Sequence, residues 1–127
     1  HHIPFEDKSI DCLLAYHVLT HTNLEGIKII SSELYRILSK SGEAYFDLCS
    51  IDGWIATKSN YPKIDNQTFV VNKEGPEFGI PHLCVNLDDI LSIFSQFKIY
   101  KVEHSDICYE KDSKQDHKHY WIHLIKE

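Results

Sequence analysis

A near-continuous apolar run at residues 10–16 (IDCLLAY) constrains the fold of this chain more than any other feature. Such a run is typical of a strand that is covered on both faces, as strands are in parallel sheets. A parallel strand reaches its neighbour through a crossover of a dozen or more residues, usually a helix. The run therefore predicts an α/β fold with a helix directly after this strand.

The residues after this run carry the expected helix pattern. Residues 22–25 (TNLE) have the T-x-x-E form of a capping box, so we expect the helix to begin there, with Thr22 as its cap. A buried stripe is predicted from apolar residues at helical spacing, namely Ile27, Ile30, Leu34, Ile37 and Leu38. Gly42 is expected to end the helix, because a left-handed terminal residue costs glycine no Cβ strain. Residues 44–49 (AYFDLC) are then predicted to form the second strand.

The C-terminal third repeats the alternation and adds a hairpin. Asn86 is a predicted helix cap, followed by Asp88 and Asp89 in the first turn. Its apolar stripe comprises Leu87, Ile90, Leu91, Phe94 and Phe97. A strand is predicted around residues 98–102, extended as far as 109, and a closing strand at residues 120–125. The polar loop between them, residues 110–116, is too short for a parallel crossover and favours an antiparallel hairpin.

Length and charge narrow the function classes. The 127 residues fit one domain, or part of a larger one. With 13 Lys+Arg against 19 Asp+Glu, the formal net charge is −6, which argues against binding to nucleic-acid phosphates. No apolar run approaches the roughly 20 residues needed to cross a bilayer, and no secretion signal opens the chain. The four cysteines are far apart and form no C-x-x-C pair, so we expect reduced thiols and a cytoplasmic location.

Residues 51–81 lack clear periodicity, apart from a short strand predicted at residues 68–71. A connection of this length in a compact domain is usually a functional loop, so we expect a substrate lid or insertion here. It leaves the carboxyl end of the second strand, where open α/β sheets bind ligands. Trp54, Tyr61 and Phe78 are candidates for an apolar wall that contacts the substrate, or for core residues beneath the lid.

Residues 3–22 (IPFEDKSIDCLLAYHVLTHT) resemble the middle of class I S-adenosylmethionine-dependent methyltransferases, specifically the methyltransferase type 11 domain. Residues 33–38 (ELYRIL) and 41–43 (SGE) are similar to the family's helix end and glycine turn, although SKSG here replaces the usual K-P-G-G. Residues 94–100 and 119–125 are similar to its last helix and closing antiparallel hairpin. The resemblance implies a Rossmann-like methyltransferase sheet, with parallel strands and an antiparallel closing hairpin.

The same resemblance implies that the chain is a single partial domain, the C-terminal half of the fold. The family's glycine-rich cofactor loop is absent, since no G-x-G occurs in this sequence. The chain alone is therefore expected to be inactive, although the whole protein would transfer a methyl group from S-adenosylmethionine to a small molecule. The first predicted strand would have an exposed edge, which a missing N-terminal half, a partner chain or a second copy would cover. The alternative is a non-catalytic fragment that acts as a binding or dimerisation module.

Candidate site residues follow from the resemblance and from side-chain chemistry. By resemblance, Tyr16 and His17 line the methionine portion of the cofactor, with His21 nearby, and Ile3 lies against the adenine ring. His82, which follows the predicted lid, is the candidate general base, because histidine titrates near neutral pH. An aromatic cap, a core contact and solvated histidines are the structural alternatives for these residues.

The histidines do not form a recognisable metal motif. His17 and His21 have i, i+4 spacing, but Val18 stands where H-E-x-x-H requires glutamate. His117, His119 and His123 would share one face of the last strand, without a carboxylate or cysteine at ligand spacing. The sequence therefore predicts no metal site, and a small metal-binding protein remains a minor alternative.

Overall fold

The computed structural model describes residues 1–105 and 117–127, which form one mixed sheet with helices. The strands are β1 (Ile10–Ala15), β2 (Leu38–Ser50), β3 (Lys63–Asp65), β4 (Thr68–Val70), β5 (Pro81–Val85), β6 (Lys98–Ser105) and β7 (His119–Ile125). The helices are α1 (Leu24–Ile37), α2 (Trp54–Thr57) and α3 (Leu87–Ile93). None of these helices is long and apolar enough to span a membrane. The predicted α/β arrangement is confirmed.

Strand β2 is the centre of the sheet. It pairs in parallel with β1 along residues 43–46 and in parallel with β5 at residues 49–50, so both strands lie on the same flank. On its other flank it pairs antiparallel with β7, which in turn pairs antiparallel with β6. The predicted closing hairpin is thus confirmed, while its loop at 110–116 and Tyr109 lie outside the described residues.

One face of the sheet is buried under α1 and α3. Phe46 of β2 is fully buried, and its ring centre lies 5.1 Å from that of Phe94, just after α3. The same core contains fully buried residues from α1, β2, α3 and β7, among them Ile27, Leu34, Leu48, Ile90, Ile122 and Leu124. Alternation along the strands places their other side chains on the opposite face.

That opposite face is open among the described residues. Leu14 in β1 is 76% exposed and Tyr100 in β6 is 61% exposed. Tyr45, Tyr100 and Trp121 line a groove of about 250 Å³ on this face. The expectation that β1 is covered on both faces is therefore wrong for the described residues, because no described element packs over Leu14.

The ends of α1 differ from the sequence prediction. Asn23, not Thr22, is the N-cap, and its side chain accepts a hydrogen bond from the Gly26 amide at 2.7 Å. At the other end Leu38 leaves the helix directly into β2, and the left-handed residue is Ser41 (φ 66°) rather than Gly42. A Cβ on Gly42 would lie 2.8 Å from a backbone oxygen, so glycine is needed there for close approach.

Lys126 takes the place of a glycine cap at the C-terminus of α1. Its side chain is largely buried, and its Nζ donates hydrogen bonds to the carbonyls of Tyr35 at 2.6 Å and Leu38 at 2.9 Å. A cation at this position also interacts favourably with the negative end of the helix dipole. The helix can therefore end without a left-handed residue.

Residues 51–81 are more regular than their sequence indicates. They contain α2, β3 and β4, and β4 confirms the short strand that was predicted at 68–71. The side chain of Asp65 accepts a hydrogen bond from the Leu24 amide at 3.0 Å and so fixes this hairpin to the start of α1. Strand β5 has no counterpart in the prediction, and α3 ends at Ile93, earlier than the stripe to Phe97 implies. The role of this segment as a lid stays a prediction.

Candidate functional site

The loop between β1 and α1 is held at the carboxyl edge of the sheet by Thr20. This residue is 2% exposed, and its hydroxyl donates to the Leu83 carbonyl at 2.8 Å while accepting from the Cys49 amide at 3.2 Å. The Leu83 amide also donates to the Thr20 carbonyl at 2.8 Å. These bonds fasten the loop to β2 and β5, and they position His17 and His21 on either side of Thr20.

Asp47 of β2 is the centre of the first part of the site. Its side chain is completely buried, and its Oδ1 accepts from the His17 amide at 2.6 Å. Its Oδ2 lies 2.7 Å from Nδ1 of His119 and 3.3 Å from Nε2 of His17. A buried carboxylate is costly unless it is paired, and these three contacts supply the pairing. They also hold His17 at φ 52°, a conformation that is uncommon for residues other than glycine.

Aromatic rings extend this centre towards the open face. The ring of Tyr16 stacks on His17 with centres 3.9 Å apart and on Trp121 at 5.5 Å. His17 stacks in turn on His119 at 4.6 Å. Tyr16 itself is 63% exposed, so the edge of the stack is accessible. The structure thus brings together the predicted pair Tyr16 and His17 with Trp121 and His119, which the sequence did not connect to them.

The two histidines beside Asp47 have opposite pKa shifts. Burial lowers the pKa of His17 below its ordinary value, and the nearby Asp47 charge only partly offsets this effect. Burial also opposes protonation of His119, but its hydrogen bond to Asp47 and the neighbouring negative charges outweigh burial and raise its pKa. His119 is therefore the histidine that shares its proton with the buried carboxylate.

The raised pKa of His119 predicts a specific pH dependence of stability. A folded-state pKa above the unfolded value of about 6.5 stabilises the protein fully below that pH. The contribution is then lost as the pH rises through the folded-state pKa. We expect the difference in unfolding free energy between the protein and His119→Gln to shrink from pH 6 to 9, measured by urea denaturation. A difference for His119→Gln that stays constant from pH 6 to 9 would contradict the assignment.

A second group of titratable side chains lies beside the first. His82 of β5 is 3% exposed, and its Nδ1 lies 3.2 Å from the carbonyl oxygen of Ile80. Its Nε2 lies 3.6 Å from Oε1 of Glu77, and its ring meets that of His21 edge-on with centres 4.7 Å apart. Burial and the nearby His82 lower the pKa of His21. The structure therefore places the predicted residues His21 and His82 together, while the role of His82 as a general base stays a prediction.

Ile3 lies on the α1 side of the molecule. Its amide donates to Oε1 of Glu33 at 3.0 Å, and its carbonyl accepts from Nη2 of Arg36 at 2.9 Å. The hydrogen bond from Arg36 lowers the pKa of Glu33 to about 2, so this pair is ionised at neutral pH. The motif at residues 33–38 thus fixes the segment that carries Ile3. A contact of Ile3 with adenine stays a prediction.

The three aromatic residues proposed to contact the substrate do not form one wall. Trp54 and Tyr61 meet edge-on with ring centres 5.7 Å apart, and Tyr61 packs against the buried cluster of Cys49, Phe69 and Cys84. Phe78 is instead 62% exposed. Tyr61 therefore packs against the core, as the structural alternative expected, and contact of Trp54, Tyr61 and Phe78 with substrate stays a prediction.

Comparison with known proteins identifies the fold. A family model described as a methyltransferase domain matches residues 1–46, and no curated protein matches the chain. A solved S-adenosylmethionine-dependent methyltransferase from Methanosarcina mazei is 16% identical, with a TM-score of 0.76 over 98% of this chain and 62% of its own. One from Mesorhizobium loti is 14% identical, with a TM-score of 0.66 over 99% of this chain and 65% of its own. A third from Thermotoga maritima, described as a possible histamine N-methyltransferase, is 15% identical, with a TM-score of 0.61 over 98% of this chain and 60% of its own.

The structural alignments cover nearly all of this chain but only part of each relative. Nearly all of the chain is aligned, yet it spans less than two thirds of the length of these three structures. The sequence resemblance at residues 3–22 lies within the matched segment 1–46. The chain thus has the Rossmann-like fold of class I S-adenosylmethionine-dependent methyltransferases, and its first 46 residues match their methyltransferase domain in sequence.

Proposed function

We propose that this chain is the C-terminal part of an S-adenosylmethionine-dependent methyltransferase that acts on a small-molecule acceptor. The observation that carries the proposal is the turn formed by Tyr16 and His17 at the carboxyl end of β1. Asp47 fixes this turn from within the sheet through hydrogen bonds, and the Tyr16 ring remains accessible. Ligands of open α/β sheets bind at the carboxyl ends of the strands, which is where this turn lies.

The residues that are present fit one wall of a site for S-adenosylmethionine. The exposed ring of Tyr16 offers an aromatic face, which attracts a cationic group such as a sulfonium. Tyr16, His17 and His21 would line the methionine portion, and Ile3 would lie against the adenine ring. When bound, the cofactor supplies an electrophilic methyl group. The chain's own residues would orient the acceptor in line with that group, and such alignment can account for much of the catalysis.

The open face and the free edge of β1 support a longer chain or a complex. Among the described residues β1 pairs with β2 alone, and Leu14 on its outer face is 76% exposed. Three further strand–helix units, about 90 residues, would cover this edge and face and would carry the glycine-rich loop. A second copy of the chain would be the alternative cover, in a dimerisation module without catalysis. The two proposals differ in the mass of the natural protein and in its affinity for S-adenosylhomocysteine.

The negative net charge of the chain supports a small-molecule acceptor. The formal net charge is −6, which disfavours a polyanionic substrate such as DNA or RNA. One structural relative is described as a possible histamine N-methyltransferase, which would act on a small amine. Residues 51–81 lie at the carboxyl end of β2, where they would enclose an acceptor of limited size.

The proposed acceptor class can be tested by product formation. The natural protein would be incubated with S-adenosylmethionine and, separately, with pooled small amines, pooled small hydroxyl and carboxylic acids, duplex DNA, RNA and a protein mixture. We expect S-adenosylhomocysteine to form at least about 100 times faster with one small-molecule pool than with any polymer, since alignment of a bound acceptor contributes several kcal/mol. Turnover with a polymer alone would contradict the small-molecule proposal and leave methyl transfer intact.

A further inference from the structure

We propose that His21, Glu77 and His82 form a binding site for a divalent transition-metal ion of the Zn²⁺ type. Their ligand atoms lie within 4.8 Å of one another, and they come from the β1–α1 loop, the segment before β5 and β5 itself. Two imidazoles and one carboxylate are ligands that zinc accepts in sites with an open fourth position. This inference concerns metal binding itself and does not depend on methyl transfer.

The contacts of His82 are compatible with metal binding through Nε2. Its Nδ1 lies 3.2 Å from the carbonyl oxygen of Ile80, and a carbonyl oxygen can only accept a hydrogen bond. A proton on Nδ1 would satisfy this carbonyl and leave the lone pair of Nε2 available to a metal ion. Histidines that bind metals typically donate their other ring N–H to a carbonyl or carboxylate in this way. His82 is also 3% exposed, so its orientation is set by the surrounding strand.

The lone pair of His82 faces a second acceptor. Nε2 lies 3.6 Å from Oε1 of Glu77, which is longer than a hydrogen bond. A nitrogen lone pair and a carboxylate oxygen that face each other repel unless a proton or a metal ion lies between them. An ion about 2.0–2.1 Å from nitrogen and about 2.0–2.2 Å from oxygen would span this separation with an angle of about 120°. The observed separation is therefore suited to a shared metal ion.

His21 completes the set. Its ring meets that of His82 edge-on, with centres 4.7 Å apart, and one ligand atom of each histidine lies within 4.8 Å of the other and of Glu77. Both His21 and Glu77 are exposed, which leaves the metal accessible to a fourth ligand. Thr20, next to His21, hydrogen bonds to Leu83, next to His82, and keeps the two histidines in register.

A neighbouring group also contains two histidines and one carboxylate, but its hydrogen bonds leave no room for a metal ion. The ligand atoms of His17, Asp47 and His119 also lie within 4.8 Å of one another. There, however, Nδ1 of His119 lies 2.7 Å from the carboxylate, and the His17 amide donates to it at 2.6 Å. A proton already occupies the place where an ion would bind, so the geometry assigns the metal to the other set.

Metal binding would exclude the role of His82 as a general base. Both roles use the same lone pair on Nε2, and a coordinated nitrogen cannot accept a proton. The ion would also join Glu77, in the segment predicted to be a lid, to the fixed edge of the sheet. Its open position would accept an oxygen or nitrogen atom of a bound molecule.

The test is a Zn²⁺ titration of the natural protein, purified without a histidine tag and treated with a chelator. All proteins would carry alanine at positions 1 and 2 so that His1 and His2 cannot bind the ion. We expect one Zn²⁺ per chain by calorimetry, and at least about 10-fold weaker binding for Glu77→Gln and for His21→Gln. Both side chains are exposed, so these variants should fold. Glu74→Gln, an exposed carboxylate in the same segment, is the matched control and should bind as the parent does.

Two outcomes would overturn the proposal. Absence of stoichiometric binding would mean that these three side chains do not form a metal site. Binding that His17→Gln weakens, and that Glu77→Gln and His21→Gln leave unchanged, would place the ion at Asp47. Absorption spectra of Co²⁺-loaded protein give a second readout, because loss of one ligand changes the coordination of the ion. Affinity for S-adenosylhomocysteine is measured separately, so failure of the metal site and failure of the proposed function are distinguishable.

Discussion

Replacing Asp47 with alanine is expected to lower the free energy of unfolding by about 3 kcal/mol, because breaking a buried, paired carboxylate is strongly destabilising. The substitution removes the acceptor for the His17 amide and for Nδ1 of His119 at once. It also releases the left-handed backbone at His17, which Asp47 holds in place. Methyl transfer by the natural protein should therefore fall by at least about 100-fold through misplacement of this turn.

Two variants separate this effect from general destabilisation. Asp47→Asn retains the volume and one acceptor oxygen, so it should recover more than half of the lost stability. Asp52→Ala removes an exposed carboxylate just beyond β2 and should change stability by less than about 0.5 kcal/mol. Chemical denaturation and initial rates would be measured on the same samples. Unchanged stability and activity in Asp47→Ala would show that the buried carboxylate does not organise the site.

The second prediction with a large effect concerns the activity of the isolated 127-residue chain. The 127 residues are expected to show no methyltransferase activity and no binding of S-adenosylhomocysteine, because they contain no G-x-G loop. Backbone amides of such a loop and the helix after it normally hold the anionic or polar end of a nucleotide cofactor. Without them, Tyr16 and His17 would form only part of a wall. The measurement is a calorimetric titration together with an assay for S-adenosylhomocysteine formation.

A natural protein that carries the additional strand–helix units is the positive control for this prediction. Restoring them should restore binding and also cover Leu14 and Tyr45 on the open face. Protection of β1 amides from hydrogen exchange should rise accordingly, since its free edge would become paired. Turnover by the 127 residues alone would contradict the prediction and would require a different way of holding the cofactor.

Much of the fold can be predicted from local sequence. The apolar run at residues 10–16 predicts β1, the stripe from Ile27 to Ile37 predicts most of α1, and Asn86 predicts the start of α3. Each of these signals depends on residues a few positions apart. Resemblance to a family added the type of sheet, a Rossmann-like methyltransferase sheet, which local patterns cannot determine.

The errors come from contacts between distant residues. Helix α1 ends without its predicted glycine because Lys126, 91 and 88 residues away from its two partners, caps the last carbonyls. Strand β5 was missed since its pairing with β2 and β4 overrides a sequence that contains proline and histidine. Coverage of β1 was predicted from its apolar residues, but coverage requires elements that the described residues do not contain.

The candidate site could be predicted only in part for the same reason. The family resemblance indicates Tyr16 and His17, and the structure places them together. Their support by His119, 72 residues from Asp47, has no signal in the local sequence. Neither does Thr20, whose polar side chain gives no indication that it is 2% exposed and bonded to two strands. Glu77 and His82 face each other through the turn before β5, which no sequence motif describes.

The most direct test of the proposed function is a calorimetric titration of the natural protein with S-adenosylmethionine, compared with its Tyr16→Ala variant. We expect saturable one-to-one binding that is weakened about 10-fold in the variant, because the contact between an aromatic ring and the sulfonium contributes about 1 kcal/mol or more. Absence of binding by the natural protein, with its fold intact by circular dichroism, would contradict the proposal that this chain forms part of a methyltransferase active site.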